Sequence, residues 1–83
     1  MPRDYYSDAE LKFPRLQVRI FSVGDTLLVD AWLWKQAGTE RLQIMKSQPA
    51  GSMEYAHRLI GEFKVKHGAE CGPDDIEVES TLA

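Results

Sequence analysis

Cysteine is nearly missing from this chain: Cys71 is the only one among 83 residues. No intrachain disulfide can staple the fold and no cysteine-rich zinc site can form, which points to a reducing, cytoplasmic setting. Long hydrophobic runs are missing too. The longest is broken by Asp30 and falls far below the roughly 18 apolar residues of a membrane span. Met1-Pro2-Arg3-Asp4 does not read as the start of a secretion signal. Positive charge is in deficit, with 10 Lys and Arg against 13 Asp and Glu, which works against nonspecific affinity for nucleic acid. Glycine-rich phosphate loops, paired histidine-carboxylate spacings and nucleophile elbows are all lacking. No cofactor, metal or catalytic residue is therefore expected, and the chain does not read as an enzyme.

The chemistry-bearing residues that remain have plain explanations. His57 and His67 are ten apart, about 15 Å along a helix axis, too far for one metal. Cys71 has no histidine partner placed by the sequence, so it does not read as a nucleophile. Asp74, Asp75, Glu77 and Glu79 lack the ligand spacing of a calcium loop.

What is present is a folding pattern. A chain of this size buries only about 60% of its unfolded surface, so nearly every strongly apolar side chain is needed inside. Residues 1–13 show no clean period and read as an N-terminal arm ahead of Pro14. Residues 14–79 read as one α+β domain, and residues 80–83 as a tail. From Arg15 to Val23, Leu16, Val18 and Ile20 alternate with Gln17, Arg19 and Phe21, as a half-buried strand demands. Gly24-Asp25 turns the chain into a second strand over residues 26–36, and Ala37-Gly38-Thr39 leads to a third over 40–46. Met53, Ala56, Leu59, Ile60 and Phe63 then follow helical spacing. Ser52 is placed to cap that helix and Gly68 to end it. Ile76 to Glu79 alternates as a short fourth strand. The expected fold is an antiparallel three- to four-stranded sheet with one helix on one face, in the order βββαβ.

That arrangement leaves a surplus. Leu16, Val18, Ile20, Leu27, Val29, Ala31, Leu33, Leu42, Ile44, Ile76 and Val78 supply the face that packs on the helix. Opposite parity puts Arg19, Phe21, Trp32, Trp34, Arg41 and Met45 on the other face, a composition enriched at binding hot spots. Two arrangements compete with an open face: cover by the arm through Tyr5, Tyr6 or Phe13, and cover by a second copy of the chain. Charge is segregated as well, with net −1 over residues 1–13, +3 over 14–68 and −5 over 69–83. The acidic end, with Glu77 and Glu79, is suited to steering toward a basic groove on a partner.

In size, charge and the βββαβ order of residues 15–79, the chain resembles the small phage-borne anti-CRISPR proteins. These are single acidic or neutral domains that block a nuclease complex by occupying its binding surfaces. The resemblance implies a protein-binding inhibitor of a nucleic-acid-processing complex, with Arg19, Phe21, Trp32, Trp34, Arg41, Met45, Glu77 and Glu79 read here as partner-binding residues. The alternative is a nucleic-acid-binding domain in which Phe21, Trp32 and Trp34 stack on bases while Arg19, Lys35, Arg41 and Lys46 meet phosphates.

Overall fold

The computed structural model describes residues 11–38 and 40–79. The expected N-terminal arm, apart from residues 11–13, and the expected tail lie outside them. The elements are β1 (Arg15–Val23), β2 (Thr26–Trp34), β3 (Leu42–Ala50), α1 (Met53–His67) and β4 (Ile76–Val78), with a single 3-10 turn at Pro73–Asp75 before β4. The α+β class and the βββαβ order are those expected. The sheet order is β3-β2-β1-β4, and the sheet is mixed rather than antiparallel throughout, because β4 runs parallel to β1. The chain crosses from the β3 edge through α1 to the far side of β1, and a strand arriving that way aligns with β1 instead of opposing it.

The β1–β2 hairpin is regular over its whole length, from Arg15 opposite Trp34 to Val23 opposite Thr26. Its two-residue turn needs a left-handed backbone, and Gly24 supplies it at φ 60° without a Cβ penalty. Alternation then sends Leu16, Val18, Ile20, Val29, Ala31 and Leu33 to one face, where all are buried. Helix α1 covers that face with Ala56, Leu59 and Ile60, and Met53 and Phe63 pack at its margin. The Ser52 hydroxyl accepts from the Tyr55 N–H at 3.1 Å, satisfying one of the first-turn donors. Gly68 closes the helix at φ 59°, and the Ala69 N–H reaches back to the Lys64 carbonyl at 2.9 Å.

Strand β3 departs from its expected form. It begins at Leu42 and runs on to Ala50, and its register against β2 shifts twice, between Val29 and Ala31 and between Ala31 and Trp32. Each shift inserts an extra residue and reverses the facing of the strand beyond it. Met45 thereby comes opposite Ala31 and enters the helix-side core at 6% exposure; the second shift restores the original facing, so Leu42, expected in the core, stands opposite Leu33 but is 57% exposed at the start of the strand. Ala50 joins the core at the far end of the strand, and Ile44 packs against it half-buried.

The C-terminal segment lies along the outer edge of β1 in two pieces. Glu70 forms a parallel bridge with Arg15, its carbonyl accepting from the Leu16 N–H and its N–H donating to the Pro14 carbonyl, both at 2.8 Å. Strand β4 then pairs with Val18 to Ile20, after an excursion over Cys71 to Asp75. Asp75 anchors that excursion: its buried carboxylate pairs with the Arg15 guanidinium and accepts from the Gly72 N–H at 2.8 Å.

Candidate interaction face of the sheet

The face of the sheet away from α1 is built in rows by the hairpin register. Gln17 stands opposite Trp32, Arg19 opposite Asp30 and Phe21 opposite Leu28, so these side chains share one surface. Strand β4 adds Glu77 beside Arg19. The face divides into a closed end and an open end.

At the closed end, Trp34 is 0% exposed and Gln17 1% exposed. The Gln17 carbonyl oxygen accepts from the Trp34 indole N–H at 2.9 Å and from the Arg41 guanidinium at 2.8 Å. Arg41 lies over both indoles, 4.3 Å from the Trp32 ring centroid and 6.0 Å from that of Trp34. The burial of Trp34 corrects its expected role as a surface anchor. A flat, hydrogen-bonded indole at the end of β2 is a packing residue here, and only Trp32, half-buried beneath Arg41, retains surface.

At the open end, Arg19 is exposed and its guanidinium sits 4.7 Å from the Phe21 ring centroid. Both arginines are therefore seated over aromatic rings, a contact worth roughly 0.5–1 kcal/mol at exposed sites. Phe21, Leu28 and Asp30 are half-buried. Met45, expected on this face, lies on the opposite one because of the register shifts in β3. The acidic residues are not a loose cluster. Glu79 accepts through its carboxylate from the Ser22 N–H at 3.0 Å while its own N–H donates to Ile20, so its expected steering charge is spent on the edge of β1. Glu77 stands in the row of Arg19 and Asp30 by register, half-buried and with its Oε2 out of contact with solvent.

Sequence reasoning missed three polar residues that organise the face: Gln17, Asp30 as a hydrogen-bonding group, and Asp75. Gln17 and Asp30 lie on strand positions of the polar parity, where a buried or bonded side chain reads the same as a solvated one. Asp75 sits in a run of acids that reads as surface charge.

Elsewhere the chemistry is quiet. Cys71 lines a shallow apolar hollow between α1 and β4 with His57, Pro73, Ile76 and Val78. Burial and the nearby Asp75 carboxylate push its thiol up from about 9.0 to about 11, so it is protonated at neutral pH and a poor nucleophile. His67 stacks on Phe63 with ring centroids 5.8 Å apart. Among the described residues no group of three His, Cys, Asp or Glu side chains is placed to hold a metal ion, and no helix is long and apolar enough to cross a membrane. Compared with protein-family models, with curated proteins and with solved structures, the chain shows no significant match to any of them.

Proposed function

We propose that the chain is a non-enzymatic protein-binding module acting in the cytoplasm, and that it inhibits a larger nucleic-acid-processing complex in the manner of the anti-CRISPR proteins it resembles in format. The observation that carries the reading is the pair of arginines parked on aromatic rings, Arg19 on Phe21 and Arg41 on Trp32. Such groups bind with little further loss of side-chain freedom, which is where interfaces otherwise lose affinity. Leu28 and Trp32 supply half-buried apolar area between them, giving the aromatic and arginine composition of an interface centre. The thiol of Cys71, held protonated, offers no competing chemistry.

Direct binding of nucleic acid is the weaker reading. Asp30 and Glu77 flank Arg19 on its two neighbouring strands, and their charge opposes a phosphate backbone. Guanidinium groups already occupy the ring faces on which bases would stack.

The test is a pull-down from nuclease-treated lysate with the wild type, an Arg19→Glu, Phe21→Ala double variant, and a His57→Ala control on the far side of the molecule. A protein retained by the wild type and the control but lost by the double variant supports the module. Retention that depends on nucleic acid, or that ignores the double variant, overturns it.

A further inference from the structure

The face turned away from α1 is sealed at one end and not at the other. Phe21 and Leu28 are half-buried at the open end, whereas Trp34, the largest fully buried side chain among the described residues, is 0% exposed and Gln17, its hydrogen-bond acceptor, 1%. Helix α1 does not account for this, because it packs on the opposite face with Ala56, Leu59 and Ile60. The cation nearest the indole, Arg41, is seated on Trp32 instead, at 4.3 Å from that ring centroid against 6.0 Å from that of Trp34. One guanidinium at that distance does not close off an indole in the last position of a strand, since a large aromatic side chain has roughly 150–250 Å² to hide. The sealed end is also where the chain enters the sheet. Arg15 stands opposite Trp34, and its guanidinium Nε donates to the Lys12 carbonyl at 3.2 Å. Cross-strand partners share a face, so the chain ahead of β1 arrives on the side where Trp34 lies.

We infer that residues 1–10 are a strap that docks on this closed end, with the Tyr5-Tyr6 pair covering Trp34. The segment has the length: ten extended residues reach about 33 Å, against about 14 Å for the three gaps of a four-stranded sheet. It has the chemistry, because Tyr5 and Tyr6 are its aromatic residues, and a tyrosine lays its ring on an apolar floor while keeping its hydroxyl wet. It has the charge as well. Arg3 stands against Asp4, Asp8 and Glu10, a sign complementary to Lys35 and Arg41, which line one shallow hollow with Leu33 and Leu42 at that end of the sheet. The arm is thus a ligand that the chain carries for itself. It leaves Arg19, Phe21 and Leu28 as the part of the face open to another protein, and a partner that needs Trp34 must first displace it. The inference stands whether or not the partner-binding reading does.

Iodide quenching of a full-length Trp32→Phe chain, in which Trp34 alone emits as tryptophan, tests this. Consecutive residues of an extended strap point to opposite sides, so both tyrosines are replaced. Adding Tyr5→Ala and Tyr6→Ala together is expected to remove the protection of Trp34 and bring its quenching to the level of the accessible Trp32 of the wild type. Tyr55→Ala, which takes a tyrosine from α1 on the other side of the sheet, leaves the protection intact. A Trp34 as well protected without Tyr5 and Tyr6 as with them overturns the inference and leaves the cover to Phe13. Protection that fades on dilution from millimolar to micromolar chain overturns it in favour of a second copy. Should the double variant not fold by circular dichroism, a nitroxide on Ser7→Cys in a Cys71→Ala chain decides the matter with both tyrosines in place. At micromolar concentration the Trp34 indole N–H signal must broaden while the Glu62 amide signal on α1 stays sharp, and an unbroadened Trp34 signal overturns the inference. None of these readouts involves a partner, so they stand apart from the lysate pull-down.

Discussion

Asp30 accepts a 2.6 Å hydrogen bond from the backbone N–H of Ser47, the only described non-glycine residue with a positive φ, at 48°. The carboxylate on β2 holds open the bulge on β3 that turns Met45 into the core. Asp30→Ala is expected to lower unfolding free energy by about 2 kcal/mol, the loss of a charge-assisted bond, and Asp30→Asn by less. Ser47→Gly relieves the left-handed strain and should gain roughly 0.5 kcal/mol. Urea denaturation of the three variants checks the order.

The two tryptophans should report opposite environments. Trp34 is fully buried and Trp32 half-buried. Iodide is expected to quench one emitting population and spare the other, and Trp32→Phe should remove the quenchable one. Gln17→Leu takes away the acceptor shared by Trp34 and Arg41, and its cost is placed at about 2 kcal/mol by chemical denaturation.

How far these features were legible in the sequence depends on the strand. In β1 and β2, unbroken alternation over nine residues each fixes facing and register together, so the core face and the rows of Arg19, Phe21 and Trp32 could be read directly. The helix was equally open, since Ser52, the apolar stripe and Gly68 agree. Strand β3 misled because Leu42 and Ile44 alternate as core residues should, while the bulges that bring Met45 in beside them depend on Asp30, a residue on another strand. Pro49 within β3 is a signal of an irregular edge strand that could have raised the question. The burial of Trp34 was not legible, because parity assigns a face and says nothing of what covers it. The parallel sense of β4 was also hidden, since three residues carry no mark of direction.

Removal of the Asp75 carboxylate should be the most damaging polar change. The Arg15 and Asp75 side chains are 13% and 6% exposed, and breaking a buried pair from one side costs roughly 3–5 kcal/mol. Asp75→Ala is therefore expected to lower the melting temperature by about 15 °C or more, with Arg15→Met milder because its aliphatic stem still packs. Scanning calorimetry distinguishes the two.

The Cys71 thiol gives a pH signature. Its ordinary pKa of about 9.0 is raised to about 11 by burial and by Asp75. Alkylation by iodoacetamide should be slow at pH 8 and should keep rising in rate with pH beyond the point where a free thiol levels off. The sign for stability is set by the unfolded chain, which loses the proton first, so the contribution of Cys71 is intact below pH 9 and is lost between about pH 9 and 11. Cys71→Ala should flatten that part of the stability curve, read by denaturation at fixed pH steps.

The two borders of the sheet offer little to a further strand: three-residue β4 forms one and the irregular β3 the other. On β1 the Leu16 N–H is taken by Glu70 and the Ser22 N–H by the Glu79 carboxylate, and on β3 the bulges and Pro49 interrupt the outer row of donors. Growth in the plane of the sheet, the route to ribbons and fibrils, is thereby hindered at each end by a different device. The stretch from Glu70 to Glu79 thus acts as a guard rail: a chain clipped after Ala69 would keep its hairpin and lose its protection, turning a well-behaved small domain into a template for its own polymerisation.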